Sequence, residues 1–201
     1  MKRNYALAKW EILVLLSVFG GLIFVLLPPG LGTSKPNRDR SFCQSNLKQI
    51  GLAFRQYTRD YDEKLPPLSV ENKGWTQIIT PYVKTDEVFA CPAGAANSVG
   101  QSDYFMNARM ARLDEKELSG FVETILVAEG EDNGAANAHL SEIPLSWRED
   151  EYSPIFRHLE GANVGFLDGH VKWFRHTNFF TERNGVLRFE PTFLERNPKR
   201  K

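Results

Sequence analysis

The side chains in this chain best suited to chemistry are a histidine and an aspartate separated by nine residues, two cysteines, and a short run of acids between glycines. His158 is followed, nine residues on, by Asp168 and Gly169. A histidine oriented by a carboxylate can act as a general base. On that chemistry the pair would serve a hydrolase, although no nucleophile motif accompanies it. The structural alternative is that Asp168 and Gly169 form a turn, with Gly169 supplying a positive φ, while His158 pins the loop leading into the preceding strand. The structural alternative is favoured, and no residue is assigned as catalytic.

Cys43 and Cys91 are the only cysteines and lie forty-eight residues apart. In an oxidising compartment they are a disulfide candidate; closing such a loop would stabilise the fold by roughly 4 kcal/mol on the chain-entropy model. Two buried free thiols are the alternative. The spacing supports no zinc site, because His139, His158, His170 and His176 form no close pairs with the cysteines. Glu129, Glu131, Asp132 and Asn133, bounded by Gly130 and Gly134, offer oxygens of the kind calcium accepts. Their spacing is not that of an EF-hand, and a solvated turn is the favoured reading. No other cofactor is implied.

The elements that must position these groups begin with an apolar stretch. Ile12 to Leu31, ILVLLSVFGGLIFVLLPPGL, is twenty residues without a charge; at about 1.5 Å per residue, such a helix spans roughly 30 Å of hydrocarbon. It predicts a membrane anchor. A cleaved secretory signal competes, since Lys2, Arg3 and Lys9 make a basic start, but Pro28, Pro29, Gly30 and Gly32 leave no small-x-small exit. From Cys43, the apolar positions Leu47, Ile50, Phe54, Tyr57 and Tyr61 step by fours and threes, drawing one stripe down an amphipathic helix. Pro66 and Pro67 end it.

A helical turn is expected over 75–83, an extended piece ending at Cys91-Pro92, a strand at 104–106 and a buried strand, TILVA, at 124–128. The segment GANVGFLDGHVKWF reads as a hairpin closed by a two-residue type I′ turn at Asp168-Gly169. That turn pairs Leu167 with His170, Phe166 with Val171 and Val164 with Trp173. Val164, Phe166, Val171 and Trp173 then share the face that covers the amphipathic helix. Asn184-Gly185 suits a second hairpin. The 25 basic residues balance 25 acidic ones, and no basic stripe interleaves with aromatics, which argues against a nucleic-acid partner.

SNLKQIGLAFRQYTRDYDEKLPP, FACP, DYFMNARM and RHLEGANVGFLDGHVKWF together resemble bacterial type II secretion pseudopilin-like proteins carrying a prepilin-type H-x9-D-G domain. The resemblance covers roughly 41–174. It implies a long N-terminal helix packed on an antiparallel sheet, a place in the bacterial cell envelope, and assembly through the apolar helix half. It also implies cleavage by a prepilin peptidase five residues before a glutamate. That glutamate is Glu11, which puts Ala6 and Leu7 where the family has glycine and phenylalanine. Pro28, seventeen residues beyond Glu11, sits where pilin-like helices often carry a proline. Calcium dependence among major pseudopilins adds interest to the Glu129 cluster.

The fold class expected is α+β and pilin-like, a membrane half and an amphipathic half of one long helix on a small antiparallel sheet. The organisation expected is an anchor at 1–34, the amphipathic continuation at 35–65, an extracytoplasmic domain at 66–190 and a basic tail at 191–201. The function expected is that of a non-enzymatic structural subunit of a secretion or pilus-like assembly. It would be single-pass in the inner membrane, with its domain periplasmic or extracellular, and would meet itself or other pseudopilins through the apolar helix. A membrane-tethered binding or surface module that does not assemble, and a hydrolase using His158 and Asp168, are the alternatives.

Overall fold

The computed structural model describes residues 9–26, 34–96, 101–118, 122–131, 139–140, 143–183 and 186–189. The chain divides into two units, Met1–Ser34 and Lys35–Lys201. In the first, one helix is described, α1 (Lys9–Leu26). Its uncharged part, Ile12 to Leu26, is fifteen residues, a rise of about 22 Å against roughly 30 Å of bilayer hydrocarbon. Among the described residues no helix is long and apolar enough to cross a membrane. The expected single-pass anchor, its inner-membrane location and the periplasmic or extracellular placement of the domain are corrected accordingly. Residues 27–31 of the expected span lie outside the described residues, as do Ala6, Leu7, Pro28 and the tail at 191–201.

The second unit opens with α2 (Lys35–Asp60). The expected rod with a membrane half and an amphipathic half is corrected here: α2 belongs to the second unit and carries charge along its whole length, from Lys35 and Arg38 through Lys48 to Arg59. Its stripe is the one the spacing requires. Cys43, Leu47, Ile50, Phe54 and Tyr57 are buried, widened by Asn46, Gly51, Ala53 and Thr58, while Tyr61, past the helix end, is 53% exposed. The helix stops where Asp62 and Glu63 turn left-handed, φ 53° and 62°, and Glu63 N donates to Thr58 O at 2.8 Å, a reach-back that satisfies a terminal carbonyl.

A two-residue hairpin, β1 (Ser69–Val70) with β2 (Lys73–Gly74), leads into the short α3 (Trp75–Ile79). Trp75 is fully buried, stacks on Phe54 at 5.6 Å and meets Phe89 edge-on at 5.7 Å. A 3-10 turn over Asp86–Phe89 then delivers Cys91 to the underside of α2.

Five strands form the main sheet: β3 (Tyr104–Asn107), β4 (Ile125–Glu129), β5 (His139–Leu140), β6 (Gly161–Phe166) and β7 (Val171–Arg175), in the order β5-β3-β4-β6-β7. Neighbours are antiparallel except β3 and β5, which run parallel. The sheet is therefore mixed, not the antiparallel one expected. Tyr104, Met106, Val127 and Leu167 join the core beneath α2. Phe105, Ala128, Ala162, Val164 and Phe166 join a second core on the opposite face with Ile143, Ile155 and Phe156. Trp147, from α4 (Leu145–Glu149), packs against that second core. Covering both faces is what makes every residue of β3, β4 and β6 buried. After α5 (His176–Phe179), β8 (Phe180–Arg183) and β9 (Val186–Phe189) pair antiparallel, as Asn184-Gly185 suggests; those two residues lie outside the described ones.

The β6–β7 hairpin exists with a register one residue from that expected. Gly165 pairs with Val171, Val164 with Lys172 and Asn163 with Trp173. Phe166 N donates to His170 O and Gly169 N to Phe166 O, both at 2.9 Å. The loop is thus three residues, Leu167, Asp168 and Gly169, with Gly169 at φ 93°, the bulged closure that ranks next after two-residue turns. Leu167 leaves the ladder and buries in the core beneath α2. Because side chains alternate, the shift splits the expected face: Val171 stays with α2, and Val164 and Phe166 go to the opposite core.

Leu47 is fully buried on α2 and Leu52, on the same helix, is 59% exposed. Leu47→Ala should cost about 2–5 kcal/mol and Leu52→Ala no more than about 0.5 kcal/mol, as read by urea denaturation. Equal effects would contradict this orientation of the helix.

Candidate functional site

Strand alternation sets four polar-tipped side chains in a row across the α2 face of the sheet. Tyr104 pairs with Glu129, and Asn163 with Trp173, while Asn163 N donates to Glu129 Oε2 at 2.7 Å and joins the two halves. The N-terminal half of α2 closes over this row. Asn46 Nδ2 donates to Tyr104 Oη at 3.2 Å and to Ala90 O at 2.9 Å. Asn163 Nδ2 donates to Arg40 O at 3.2 Å and to Glu129 Oε1 at 2.7 Å. The Arg40 guanidinium stands 5.4 Å from the Trp173 ring centre.

Into this buried layer the fold brings three further side chains from distant parts of the sequence. Cys43 comes from α2, Cys91 from the loop after the 3-10 turn, and His158 from the loop before β6. Their ligating atoms all lie within 4.8 Å of one another, and all three residues are buried. His158 Nε2 is 3.2 Å from Cys91 Sγ and 3.2 Å from Glu129 Oε1.

Backbone geometry holds His158 in place. Leu159 and Glu160 both have positive φ, 56° and 58°, and His158 and Gly161 exchange backbone bonds at 3.1 and 3.2 Å, the arrangement of a tight two-residue connection. Trp173 Nε1 donates to His158 O at 2.9 Å. Cys91 is held by the buried Asp103: its Oδ2 accepts from Cys91 N at 2.8 Å, and its Oδ1 from Ala95 N at 2.8 Å and Ala96 N at 3.1 Å. Arg157, next to His158, places Nη1 3.3 Å from Asp103 Oδ1 and donates through Nη2 to Gly130 O.

Burial sets the electrostatics. Desolvation pushes the Glu129 carboxyl above the usual carboxylate range, with His158 and Asn163 pulling the other way. Burial also works against a charged His158, yet its hydrogen bonds to Cys91 and Glu129 carry it up to about 9. The hydrogen bond with Cys43 draws Cys91 down to about 5 against the cost of burial, helped by His158, and the same contact drives Cys43 upward. Cys91 and Glu129 both address the same nitrogen of His158, whereas a catalytic triad uses the two ring nitrogens for two partners. Cys91 is only 5% exposed. A surface cleft of about 500 Å3 lined by Tyr57, Tyr61, Leu65, Pro67, Val70 and Arg112, among others, shares no residue with this site.

The structure redistributes the residues singled out from the sequence. Cys43 and Cys91 meet with their sulfurs unbonded. His158 and Asp168 do not pair. Asp168 sits in the hairpin loop, accepting from His170 N at 3.0 Å and meeting His170 Nδ1 at 2.6 Å, while its backbone carbonyl accepts from Arg55 Nη1 at 2.7 Å. Gly169 supplies the positive φ. Glu129, read from the sequence as part of a solvated turn with a calcium site as the alternative, is the last residue of β4 and fully buried; Glu131 is exposed, and Asp132 and Asn133 lie outside the described residues. Glu11 lies in the first turn of α1. Sequence reasoning missed Glu129 as the partner of His158, and Tyr104, Asn163 and Asp103 altogether; a single sequence carries no local pattern linking them.

Set against protein-family models, curated proteins and solved structures, the chain matches none.

Removing the Glu129 carboxyl leaves His158 and Asn163 without their buried partner. Glu129→Ala should lower stability by about 3–5 kcal/mol in urea denaturation, and Glu129→Gln by less. For Asp168, burial alone would raise the pKa, but the bonds from His170 and the charge of Arg55 hold it below its ordinary 3.8. Its stabilisation is therefore complete above that pH and lost as the pH falls through the lower folded value. Asp168→Asn should weaken the fold at neutral pH and flatten the acid limb of a stability–pH curve; an unaltered limb would refute this.

Proposed function

We propose that the chain is a non-enzymatic structural subunit of a pilin-like assembly, of the kind type II secretion systems and type IV pili build. Helices Lys9–Leu26 from many copies would pack together, each carrying its own domain from Lys35 onward. The observation that carries this reading is the surface of α1. Ile12, Leu13, Val14, Leu15 and Leu16 are consecutive, and all are exposed, as are Trp10, Val18 and Phe19. Consecutive helical positions are 100° apart, so these side chains face every direction; a helix apolar all round has to be covered. Other copies of the same helix supply a matching surface, and Gly20 and Gly21, with nothing within 4 Å of a built Cβ, leave room for a close neighbour. The pseudopilin-like segments over 41–174 support the same reading.

The domain adds no support for a hydrolase, since His158 and Asp168 are committed to separate partners. Full-length protein studied by light scattering over a range of concentrations and by electron microscopy should form large ordered assemblies. Leu16→Lys with Phe19→Lys should disperse them without altering the folding of the second unit. A wild-type chain that stays monomeric with α1 intact would overturn the proposal and favour a binding or surface module that does not assemble.

A further inference from the structure

Cys43 Sγ, Cys91 Sγ and His158 Nε2 lie within 4.8 Å of one another, deep beneath α2. Glu129 Oε1 is 3.2 Å from the same His158 nitrogen. One ring nitrogen carries at most one proton, so the Cys91 sulfur and the Glu129 oxygen, each at 3.2 Å, have to share it. Two soft sulfurs and an imidazole nitrogen gathered around one point, with a carboxyl oxygen 3.2 Å from that nitrogen, make a donor set that a thiolate-preferring transition-metal ion satisfies at once. Tetrahedral zinc, with bonds of about 2.0–2.3 Å, holds its ligand atoms roughly 3.3–3.8 Å apart, so the three gathered atoms are within about an ångström of that spacing.

We infer that Cys43, Cys91 and His158 bind one zinc ion, and that Glu129, beside His158 but outside the three-residue group, shifts toward the ion to close the fourth position. Such a site is structural: four protein ligands leave no open position for substrate, and the burial of all four residues excludes solvent. Its physical effect is to fasten three long-range elements, α2, the Cys91 loop and the His158 loop, to the end of β4 at a single point. The supporting shell is in place. Asp103 fixes the backbone of Cys91, Asn163 holds both Glu129 oxygens, and Trp173 holds the His158 carbonyl. Binding releases the thiol protons as the sulfurs become thiolate ligands. The zinc site and the apolar helix belong to different units, so either proposal can fail without the other.

The test is a cobalt titration of reduced, full-length protein, followed by competition with zinc. About one equivalent of cobalt should bind, with thiolate-to-cobalt charge-transfer bands in the near ultraviolet and the intense visible bands of tetrahedral coordination, both abolished by zinc. Zinc should also raise the melting temperature. Cys43→Ser and Cys91→Ser should each weaken the charge-transfer bands, and Glu129→Gln should lower affinity roughly tenfold or more. A cobalt complex of the unmodified protein that lacks thiolate bands would overturn the inference. So would zinc retained equally by a Cys43→Ser/Cys91→Ser variant, or a protein that, when produced with zinc supplied, carries only a Cys43–Cys91 disulfide.

Discussion

Glu129 has no exposed surface and ends the central strand β4 directly beneath a helix. Taking a carboxylate out of water costs several kcal/mol even after relaxation. The cost is offset only because three donors surround it: Asn163 N and Nδ2, each at 2.7 Å, and His158 Nε2 at 3.2 Å. Those partners in turn hold the rest. Asn163 reaches up to the Arg40 carbonyl of α2, His158 reaches across to Cys91, and Cys91 meets Cys43 on α2 again. A polar network of this kind fixes where a helix sits along its axis, which apolar packing alone leaves less sharply defined.

Around that network the packing is ordinary and strong. The stripe from Leu47 to Tyr57 meets Trp75, Phe89, Met106 and Val127, while the opposite face of the sheet has its own core built on Phe105, Val164 and Phe156. The polar contacts are concentrated at the N-terminal half of α2, and Arg55 adds a tie from its C-terminal half to the Asp168 carbonyl. The helix is therefore fastened at both ends, and the hairpin loop at Leu167 to Gly169 forms part of its seat. The first unit follows a different logic. Its helix has apolar side chains on every side and so contrasts with α2, whose exposed face carries Lys48, Arg55 and Arg59.

Much of this was legible from residue order alone. The period of α2, its end ahead of Pro66, the strands at Tyr104 and Ile125, the hairpin around Asp168-Gly169 and the pairing of β8 with β9 all follow from local rules of periodicity and turn chemistry. Those rules act over a few residues, so they identify an element without fixing its partners. The hairpin shows where they stop. Asp168-Gly169 marks the turn, but whether two or three residues close it depends on where Leu167 finds burial, and α2 decides that from more than a hundred residues away.

The candidate site was the least legible part. Alone, the sequence determined that two cysteines and the H-x9-D-G signature exist, that α2 would present Cys43 inward, and that an uncharged run precedes it, because residue type and spacing are sufficient for each. Only tertiary structure decided that His158 turns away from Asp168 towards Cys91 and Glu129, that the two sulfurs meet, and that Glu129 lies in the core and not in a wet turn. It also limited the described apolar helix to less than a membrane span. The physical reason is that ligand sets and buried charge pairs are defined by distance in space, and residues 43, 91, 129 and 158 become neighbours only when helix, loops and sheet close on one another.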